Sequence, residues 1–385
     1  MISIKELIKK VVYPILPLKN RIVFESNPEF SCNALPVYEE MVKRGIRDKY
    51  EIYWLVEDKS KYKEDLSGNK YLNYQETVIG ELKKKYLLAT SKALIFTNRF
   101  LWKQKDKQFV INLMHGSPVK KVPGYCENDT CDYVVTESQF FNKAVSEALQ
   151  VPEEKMIPLG FPRTDLLGIS HNSRSKLHIP DDIKLIIWMP TFRKNKTSGV
   201  SYGSIRELGV PLLDTVEQFV NVNNELAKNG VILIIKLHPA EDVNGLKLHS
   251  FSNIMFISDK HLKDLGLTAY KLLADSDALL TDYSSVYYDY LLVDKPIGLV
   301  TDNLDEFTEK IGFYYGDFKS FIKGIYIDTV DLFVSFVRDI GNGIDRDKNN
   351  RKWAIERYCQ YTDFKSTERV VDFIMDKLER RGDKK

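Results

Sequence analysis

Two histidines follow apolar segments of the chain, at positions where an imidazole can do acid–base chemistry. His115 comes two residues after the run Phe109–Leu113, and His238 comes directly after Val231–Leu237. The ordinary pKa of imidazole is about 6.5, so near neutral pH the ring can take a proton from a hydroxyl or donate a hydrogen bond to a phosphate oxygen. For His115 the structural alternative is a ring that satisfies a loop carbonyl.

Two adjacent serines, Ser284 and Ser285, lie between an apolar run and a predicted helix. The run is Asp277–Leu280, and the helix is expected to continue to Leu292. A strand, a turn and then a helix direct free backbone N–H groups and the positive end of the helix dipole at an anion. The two hydroxyls can therefore bind a phosphate oxygen, or they can cap the helix in the ordinary way.

Other residues at predicted strand ends also fit a phosphate site. Arg193 follows the apolar run Leu185–Pro190, and its guanidinium can bind a phosphate in bidentate fashion. Lys236 ends the strand that precedes the second histidine, and Lys120 adds positive charge beyond the first. Gly116 permits a tight turn or a close backbone approach to a ligand. Several such polar strand ends in one chain favour a ligand site over unrelated turns.

Three common active-site signatures are missing from the sequence. It contains neither a Gly-x-x-x-x-Gly-Lys-Ser/Thr phosphate loop nor a Gly-x-Gly-x-x-Gly fingerprint, which argues against a phosphate-loop NTPase and a nicotinamide enzyme. A His-Glu-x-x-His pair is also missing, and the two histidines are too far apart in the chain to indicate a metal pair. The sequence therefore predicts no metal site and no cofactor.

The elements that must position these residues alternate between strands and helices. The apolar runs predict strands at Arg21–Ser26, Tyr50–Val56, Ala93–Thr97, Phe109–Leu113, Tyr133–Thr136, Leu185–Pro190, Val231–Leu237, Asn253–Ile257, Ala278–Leu280 and Ile297–Val300. Helices are predicted at Ala34–Lys43, Glu81–Thr90, Ser138–Leu149, within Pro211–Asn229, and at Lys365–Arg380. This alternation is typical of parallel sheets covered by helices on both faces, and the pattern restarts after a polar segment that ends near Asp182. The fold class is therefore α/β, with two Rossmann-like doubly wound domains. Because ligands of such sheets bind beyond the carboxyl ends of the strands, the site is expected in a cleft that the two domains face.

Composition describes an ordinary folded protein. The 385 residues are 43% hydrophobic and 29% charged, and the net charge of +2 gives no global field that would indicate nucleic-acid binding. The four cysteines, Cys32, Cys126, Cys131 and Cys359, have no paired spacing, so we expect free thiols in a reducing cytosol.

The amino-terminal segment 1–18 predicts a short amphipathic helix. Its apolar residues fall on one face and its lysines on another. No apolar stretch approaches the ~20 residues that would span a bilayer, and the segment is not a convincing signal peptide. Two interpretations stay open: the helix packs on its own domain, or it contacts a membrane surface.

An ordered set of motifs resembles the CDP-glycerol glycerophosphotransferase family, which includes teichoic acid primases and polymerases and their capsule-building relatives. Asn112–Lys121 is similar to the family's Trp-His-Gly-Thr-Pro-Leu-Lys signature, and Gly160–Asp165 is similar to its Gly-Tyr-Pro-Arg-Asn-Asp. The remaining matches follow in the family's order: Pro190–Arg193, Lys236–Pro239, Thr281–Ser285 and Asp294–Ile297.

The resemblance implies a glycosyltransferase-B-like fold and a CDP-alditol phosphotransferase. Residues 19–170 would form the acceptor domain and residues 183–385 the donor domain, with the last helix a candidate to pack back on the first. The enzyme would transfer glycerol phosphate or ribitol phosphate from CDP-glycerol or CDP-ribitol to a hydroxyl of a lipid-linked, undecaprenyl-type saccharide or a growing polymer. CMP would be released without a metal or cofactor, at the inner face of the cytoplasmic membrane.

The resemblance also assigns roles to individual residues. His115 becomes the general base and His238 the group that stabilises charge on the leaving CMP. Ser284 and Ser285 would bind the donor phosphates, and from the charge of their side chains we add Arg193 and Lys236 to this group. Residues expected near the acceptor side are Gly116, Ser117, Lys120, Arg163 and Asp282. Ile257 and Ser258 are expected near the cytidine.

Three departures from the family pattern concern the acceptor half. Met114 stands in place of Trp, Ser117 in place of Thr, and Cys32-Asn33-Ala34 in place of Asp-Asn-Pro. Loss of the Trp removes a stacking surface, so the acceptor stays open, as does the choice of glycerol or ribitol. Two other functions stay open as well: a nucleotide-sugar glycosyltransferase of the same fold, and a non-catalytic scaffold at a membrane.

Overall fold

A computed structural model describes residues 15–62, 68–74, 77–98, 101, 103–121, 131–191, 210–236 and 250–382. The chain divides into two compact units. The first unit contains residues 1–117, 124–165 and 363–385, and the second contains 118–123 and 166–362. These bounds differ from the expected ones. The segment predicted as a linker belongs to the second unit. The carboxyl-terminal helix belongs to the first unit, the placement for which the resemblance made it a candidate.

Each unit is built around a parallel sheet. The strands are β1 (Lys19–Glu25), β2 (Glu51–Val56), β3 (Lys70–Asn73), β4 (Ser91–Phe96), β5 (Phe109–Asn112), β6 (Tyr133–Thr136), β7 (Met156–Pro158), β8 (Lys184–Trp188), β9 (Val231–Lys236), β10 (Ile254–Ile257), β11 (Ala278–Thr281), β12 (Ile297–Val300) and β13 (Ile325–Ile327). In the described residues, the first sheet has the order β3-β2-β1-β4-β5-β6-β7 and the second the order β10-β9-β8-β11-β12-β13. All of these neighbouring strands pair in parallel. The predicted α/β class with two doubly wound sheets is confirmed, while the shared cleft stays a prediction.

Helices connect the strands of both sheets. They are α1 (Ala34–Lys43), α2 (Val78–Thr90), α3 (Asn142–Leu149), α4 (Ser173–Lys176), α5 (Val216–Lys228), α6 (Asp259–Asp264), α7 (Ala269–Ala274), α8 (Val286–Leu291), α9 (Leu304–Lys310), α10 (Phe318–Phe321), α11 (Val330–Gly341), α12 (Lys348–Tyr358) and α13 (Ser366–Gly382). Helix α1 shows why such segments are helical. Its buried residues Ala34, Val37, Tyr38 and Met41 recur at helical spacing and form one apolar face.

The strands are apolar on both faces because helices cover each side of the sheets. Residues Ala93–Phe96 of β4 are fully buried, as are Ala278–Leu280 of β11. In the second unit, Trp188 at the end of β8 packs in a core cluster with Phe219 of α5 and Phe333 of α11. A half-exposed strand would alternate polar and apolar residues, so these continuous runs explain why the parallel strands were predictable.

The last helix, α13, is anchored in the first unit by its amino terminus. The Asp165 carboxylate accepts hydrogen bonds from the backbone N–H groups of Ser366 at 2.9 Å and Thr367 at 2.7 Å. Further along the helix, Asp372 pairs with Arg44 of the first unit. The Asp165 carboxylate, about 200 residues away in sequence, therefore caps α13 and holds this helix in the first unit.

The structure adds short elements that the sequence did not predict. Strands β3, β7 and β13 have three or four residues each, too few to show a periodic pattern. Most of the predicted amphipathic segment 1–18 lies outside the described residues, as does Cys126, and the other three cysteines are free thiols. Among the described helices, none combines the length and the apolar composition needed to cross a bilayer.

Candidate functional site

His115 lies just beyond the carboxyl end of β5, and its side chain is exposed. The backbone around it is unusual, because Met114 has φ of 56° and Gly116 has φ of 145°. For a residue with a Cβ atom, the left-handed conformation costs roughly 1–2 kcal/mol. The loop therefore holds this shape only because contacts from other segments fix it.

Those contacts come from two neighbouring loops of the first unit. The Nη1 of Arg163 donates to the carbonyl oxygen of His115 at 2.6 Å, and the hydroxyl of Ser117 donates to Oε2 of Glu137 at 2.7 Å. Arg163, Ser117 and Glu137 are all buried. The structure thus brings together four of the predicted residues, His115, Gly116, Ser117 and Arg163, and two of them support the loop instead of facing solvent.

Lys120 belongs to the second unit, although the sequence grouped it with the acceptor half. Its backbone forms an antiparallel bridge with Phe313, and the N–H of Lys121 donates to the carbonyl of Gly312 at 3.0 Å. Residues 120 and 121 are thus held along the loop before α10. Pairing with residues almost 200 positions away in sequence is a tertiary event that no local pattern indicates.

Asp282 also lies in the second unit, where it joins the ends of two adjacent strands. Its carboxylate, which is 1% exposed, accepts the Thr191 N–H on both oxygens at 2.9 Å and also accepts the Thr191 hydroxyl. Thr191 follows β8 and Asp282 follows β11, which are the strands at which the sheet order reverses. Ligands of open α/β sheets bind at this reversal, so Asp282 shapes the expected donor site.

Ser284 and Ser285 follow Asp282 at the same sheet edge, and both side chains are half-buried. Helix α8 begins at Val286 and is six residues long. Ser285 occupies its N-cap position without a side-chain capping bond, whereas the Ser284 hydroxyl accepts the Val286 N–H at a long 3.4 Å. The ordinary capping interpretation therefore does not account for the Ser285 hydroxyl.

Three further predicted residues lie at the ends of β9 and β10. The ammonium of Lys236 pairs with the Asp259 carboxylate at 2.9 Å, and its side chain is 9% exposed. Ile257 is buried in β10, and the Ser258 hydroxyl accepts the His261 N–H at the start of α6. These contacts give each residue a structural role.

His238 and Arg193 lie outside the described residues, so their assignments stay predictions. Within the described ranges, no group of three His, Cys, Asp or Glu side chains is arranged to hold a metal ion.

Comparison with known proteins decides the family. A family model described as CDP-Glycerol:Poly(glycerophosphate) glycerophosphotransferase matches residues 10–376 of the chain. The chain belongs to this family. Membership makes it a transferase, and it confirms the resemblance drawn from the ordered motifs.

Two curated relatives illustrate the range of the glycerophosphotransferase family. A teichoic acid poly(glycerol phosphate) polymerase of Bacillus spizizenii is 25% identical over 404 residues, covering 96% of each chain. A teichoic acid poly(ribitol-phosphate) polymerase of the same organism is 27% identical over 398 residues, which cover 94% of this chain and 58% of the relative.

A solved structure shares the family fold. It is a histidine-to-asparagine variant of the wall teichoic acid polymerase TagF soaked with CDPG, which is 18% identical with a TM-score of 0.74. The match covers 97% of this chain and 94% of that one. At this identity the likeness establishes the fold alone.

Two residues to which the family motifs assigned no role lie beside the His115 loop. Asn33 stands where the family motif carries its Asn, and Glu137 follows β6 directly. An Asn immediately before a predicted helix is ordinarily taken as a cap, which hides any other role. A carboxylate at the carboxyl end of an apolar strand is the one signal that would have indicated Glu137.

Proposed function

We propose that the chain transfers a polyol phosphate, glycerol phosphate or ribitol phosphate, from its CDP-activated donor to a hydroxyl of a lipid-linked saccharide or a growing teichoic acid or capsule polymer. The observation that carries the proposal is the family match over residues 10–376. The exposed His115 on a fixed loop at a strand end supports it, because acid–base chemistry requires an accessible ring on rigid backbone.

In this reaction His115 is the general base. Its neutral imidazole takes the proton of the acceptor hydroxyl as that oxygen attacks the phosphorus that bears the alditol. The bond from this phosphorus to the oxygen of CMP breaks, so CMP leaves with the electron pair and the polyol phosphate joins the acceptor. Such transfers depend on positioning and charge neutralisation more than on covalent help from the protein.

The second unit binds the donor. The hydroxyls of Ser284 and Ser285 donate hydrogen bonds to the donor phosphates. The absence of a side-chain capping bond from Ser285 to helix α8 supports this role. Arg193 and His238 add positive charge or hydrogen bonds to the diphosphate, and His238 stabilises the CMP leaving group. Lys236 contributes its charge from the end of β9, while Ile257 and Ser258 lie on the cytidine side.

The enzyme works at the inner face of the cytoplasmic membrane, where a lipid-linked acceptor would be presented. Helix α2 supports this, because its apolar residues are exposed beside lysines, a pattern typical of contact with anionic lipid. The exposed fractions are 78% for Val78, 66% for Ile79, 56% for Leu82 and 44% for Tyr86. The predicted amphipathic segment 1–18 would add a second contact.

A vesicle-binding assay tests the membrane contact. Leu82→Ser and deletion of residues 1–18 should each weaken co-sedimentation with phosphatidylglycerol vesicles. Val220→Ser, which alters an apolar side chain of the second unit that is 45% exposed, is the matched control and should bind like the wild type. Wild-type binding by both altered chains would remove the membrane assignment.

A donor screen tests the reaction itself. CDP-glycerol, CDP-ribitol and common nucleotide sugars are offered with a lipid-linked acceptor, and the products are read by mass spectrometry. We expect CMP release with one CDP-alditol, in EDTA as well as without it, and loss of turnover in His115→Ala and His238→Ala with folding intact. Transfer of a sugar would instead identify a glycosyltransferase, and vesicle binding without any transfer would identify a scaffold.

A further inference from the structure

Asn33 occupies a helix-capping position but does not cap the helix. It immediately precedes α1, is fully buried, and makes no side-chain hydrogen bond to the first turn. An Asn at this position ordinarily accepts a backbone N–H of that turn, an interaction worth about 1 kcal/mol. The side chain therefore forgoes this stabilisation and is directed elsewhere.

The Asn33 amide is directed at the loop that carries His115. Its Nδ2 donates to the carbonyl oxygens of Leu113 and Met114, both at 2.9 Å, and its Oδ1 accepts the backbone N–H of Arg163 at 3.1 Å. Both amide hydrogens and the oxygen are thus used. An isosteric aspartate would keep the acceptor for the Arg163 N–H but would have no N–H to donate to the Leu113 and Met114 carbonyls.

These bonds complete the support of the His115 backbone. With Arg163 bound to the His115 carbonyl at 2.6 Å, the carbonyls of three consecutive residues accept side-chain hydrogen bonds from other segments. The middle one, Met114, is the residue in the left-handed conformation. Without these hydrogen bonds, the carbonyl groups would be buried with no partner, which is unfavourable, and Met114 would relax out of its left-handed conformation.

We propose that Asn33 is a positioning residue for His115, fixing the backbone from which the exposed imidazole reaches the acceptor hydroxyl. The inference rests on the proposed function, since it gives His115 the role of base. A shift of about 1 Å in a reacting group can lower a rate by about 100-fold. Asn33 is thereby linked to the rate of the chemical step and not to donor affinity.

The first test compares Asn33→Asp with the matched control Asn142→Ala. Asn142 is a buried asparagine of the same unit, and its described side-chain hydrogen bond, from the Thr136 hydroxyl to its Oδ1 at 2.7 Å, does not involve residues 113–117. We expect Asn33→Asp to lower kcat by about 10- to 100-fold with KM for the CDP-alditol within twofold. The control should keep kcat within twofold. An unchanged kcat in Asn33→Asp overturns the inference, as does a change confined to KM.

A double variant separates positioning from general support of the fold. In a His115→Ala background, Asn33→Asp should lower the residual turnover by less than a further twofold, because its effect acts through the missing ring. An equal cost in both backgrounds overturns the inference. Wild-type turnover in His115→Ala alone would instead overturn the proposed function, so the two failures are distinguishable.

Hydrogen exchange gives a readout that is independent of activity. Amides within residues 113–117 should exchange at least tenfold faster in Asn33→Asp than in the wild type, and at the wild-type rate in Asn142→Ala. If Asn33→Asp does not fold, Arg163→Lys removes the guanidinium bond to the His115 carbonyl and should produce the same local exchange and the same fall in kcat. Unchanged exchange in the folded variant would contradict the inference.

Discussion

The junction between Thr191 and Asp282 gives a prediction whose size follows from its contacts. In Asp282→Ala, the Thr191 N–H and hydroxyl lose a carboxylate that is 1% exposed. Each buried donor left without an acceptor costs about 1–3 kcal/mol, so the loss of two acceptor contacts should lower the free energy of unfolding by about 2–6 kcal/mol. Typical domains are stable by about 5–15 kcal/mol, so this loss is a large fraction. Asp282→Asn keeps one acceptor oxygen and should lose about half as much.

Urea unfolding followed by tryptophan fluorescence measures this effect. Trp188 is fully buried at the end of β8, three residues before Thr191, so its emission reports on this part of the second unit. Asp328→Ala, a change at an exposed Asp of the same unit, is the control and should stay within 0.5 kcal/mol of the wild type, the usual range for surface substitutions.

A double-mutant cycle with Thr191→Val isolates the pairwise interaction. Once the threonine hydroxyl is gone, Asp282→Ala should cost less than it does alone, with a coupling of about 1 kcal/mol or more. An Asp282→Ala variant that unfolds like the wild type while losing turnover would refute this structural role of Asp282. That result would make Asp282 a substrate contact, as the sequence first suggested.

Two other predictions concern the carboxyl-terminal helix and stability in acid. A Cβ atom on Gly160 (φ of 80°) would overlap Oγ of Ser366, so Gly160→Ala should destabilise the protein by about 2–4 kcal/mol in urea unfolding. Gly68 has φ of 70°, but a Cβ atom there would have none of the described atoms within 4 Å, so Gly68→Ala should cost only about 1–2 kcal/mol. Equal effects of the two changes would show that contact with Ser366 is not the cause. The hydrogen bond from buried Arg351 lowers the pKa of Asp345 in the folded protein. The pair therefore stabilises the fold fully above the ordinary carboxyl pKa of about 3.9, and this stabilisation is lost as the pH falls through the lower folded-state pKa. Asp345→Asn should therefore lower Tm at pH 7 and make Tm fall less steeply below about pH 4 than in the wild type. A plot of Tm against pH that runs parallel to the wild-type plot would show that the Asp345–Arg351 pair does not contribute to the acid sensitivity.

Much of the fold could be predicted because its signals are local. The continuous apolar runs of β5 and β11 can be recognised without knowing their partners, since strands buried on both faces need no alternation. The bounds of α1 coincide with the prediction, because its apolar spacing and the closing Gly45 both lie within one short segment. The exposed His115 was also predictable, because the carboxyl end of a parallel strand is where ligands bind.

The supports of the site could not be predicted in the same way. Asn33 bonds to residues 80 and 81 positions away, and Thr191 bonds to Asp282 across 91 positions. Such pairs depend on which strands become neighbours in the sheet. The residues around each position do not indicate the order of strands in the sheet. The sequence could therefore indicate the chemistry of a side chain but not its partner.

By itself, the sequence determined the alternation of strands and helices, the family of the chain and the positions of its reactive side chains at strand ends. These properties follow from the periodicity of apolar residues and the order of the motifs, both of which can be recognised without knowing the tertiary contacts. Only the tertiary structure decided that Asp282 joins the ends of β8 and β11 and that Lys120 belongs to the second unit. It also decided that the last helix belongs to the first unit, where Asp165 caps its amino terminus. The reason is that a buried carboxylate or amide takes whichever donors the sheet order brings within about 3 Å.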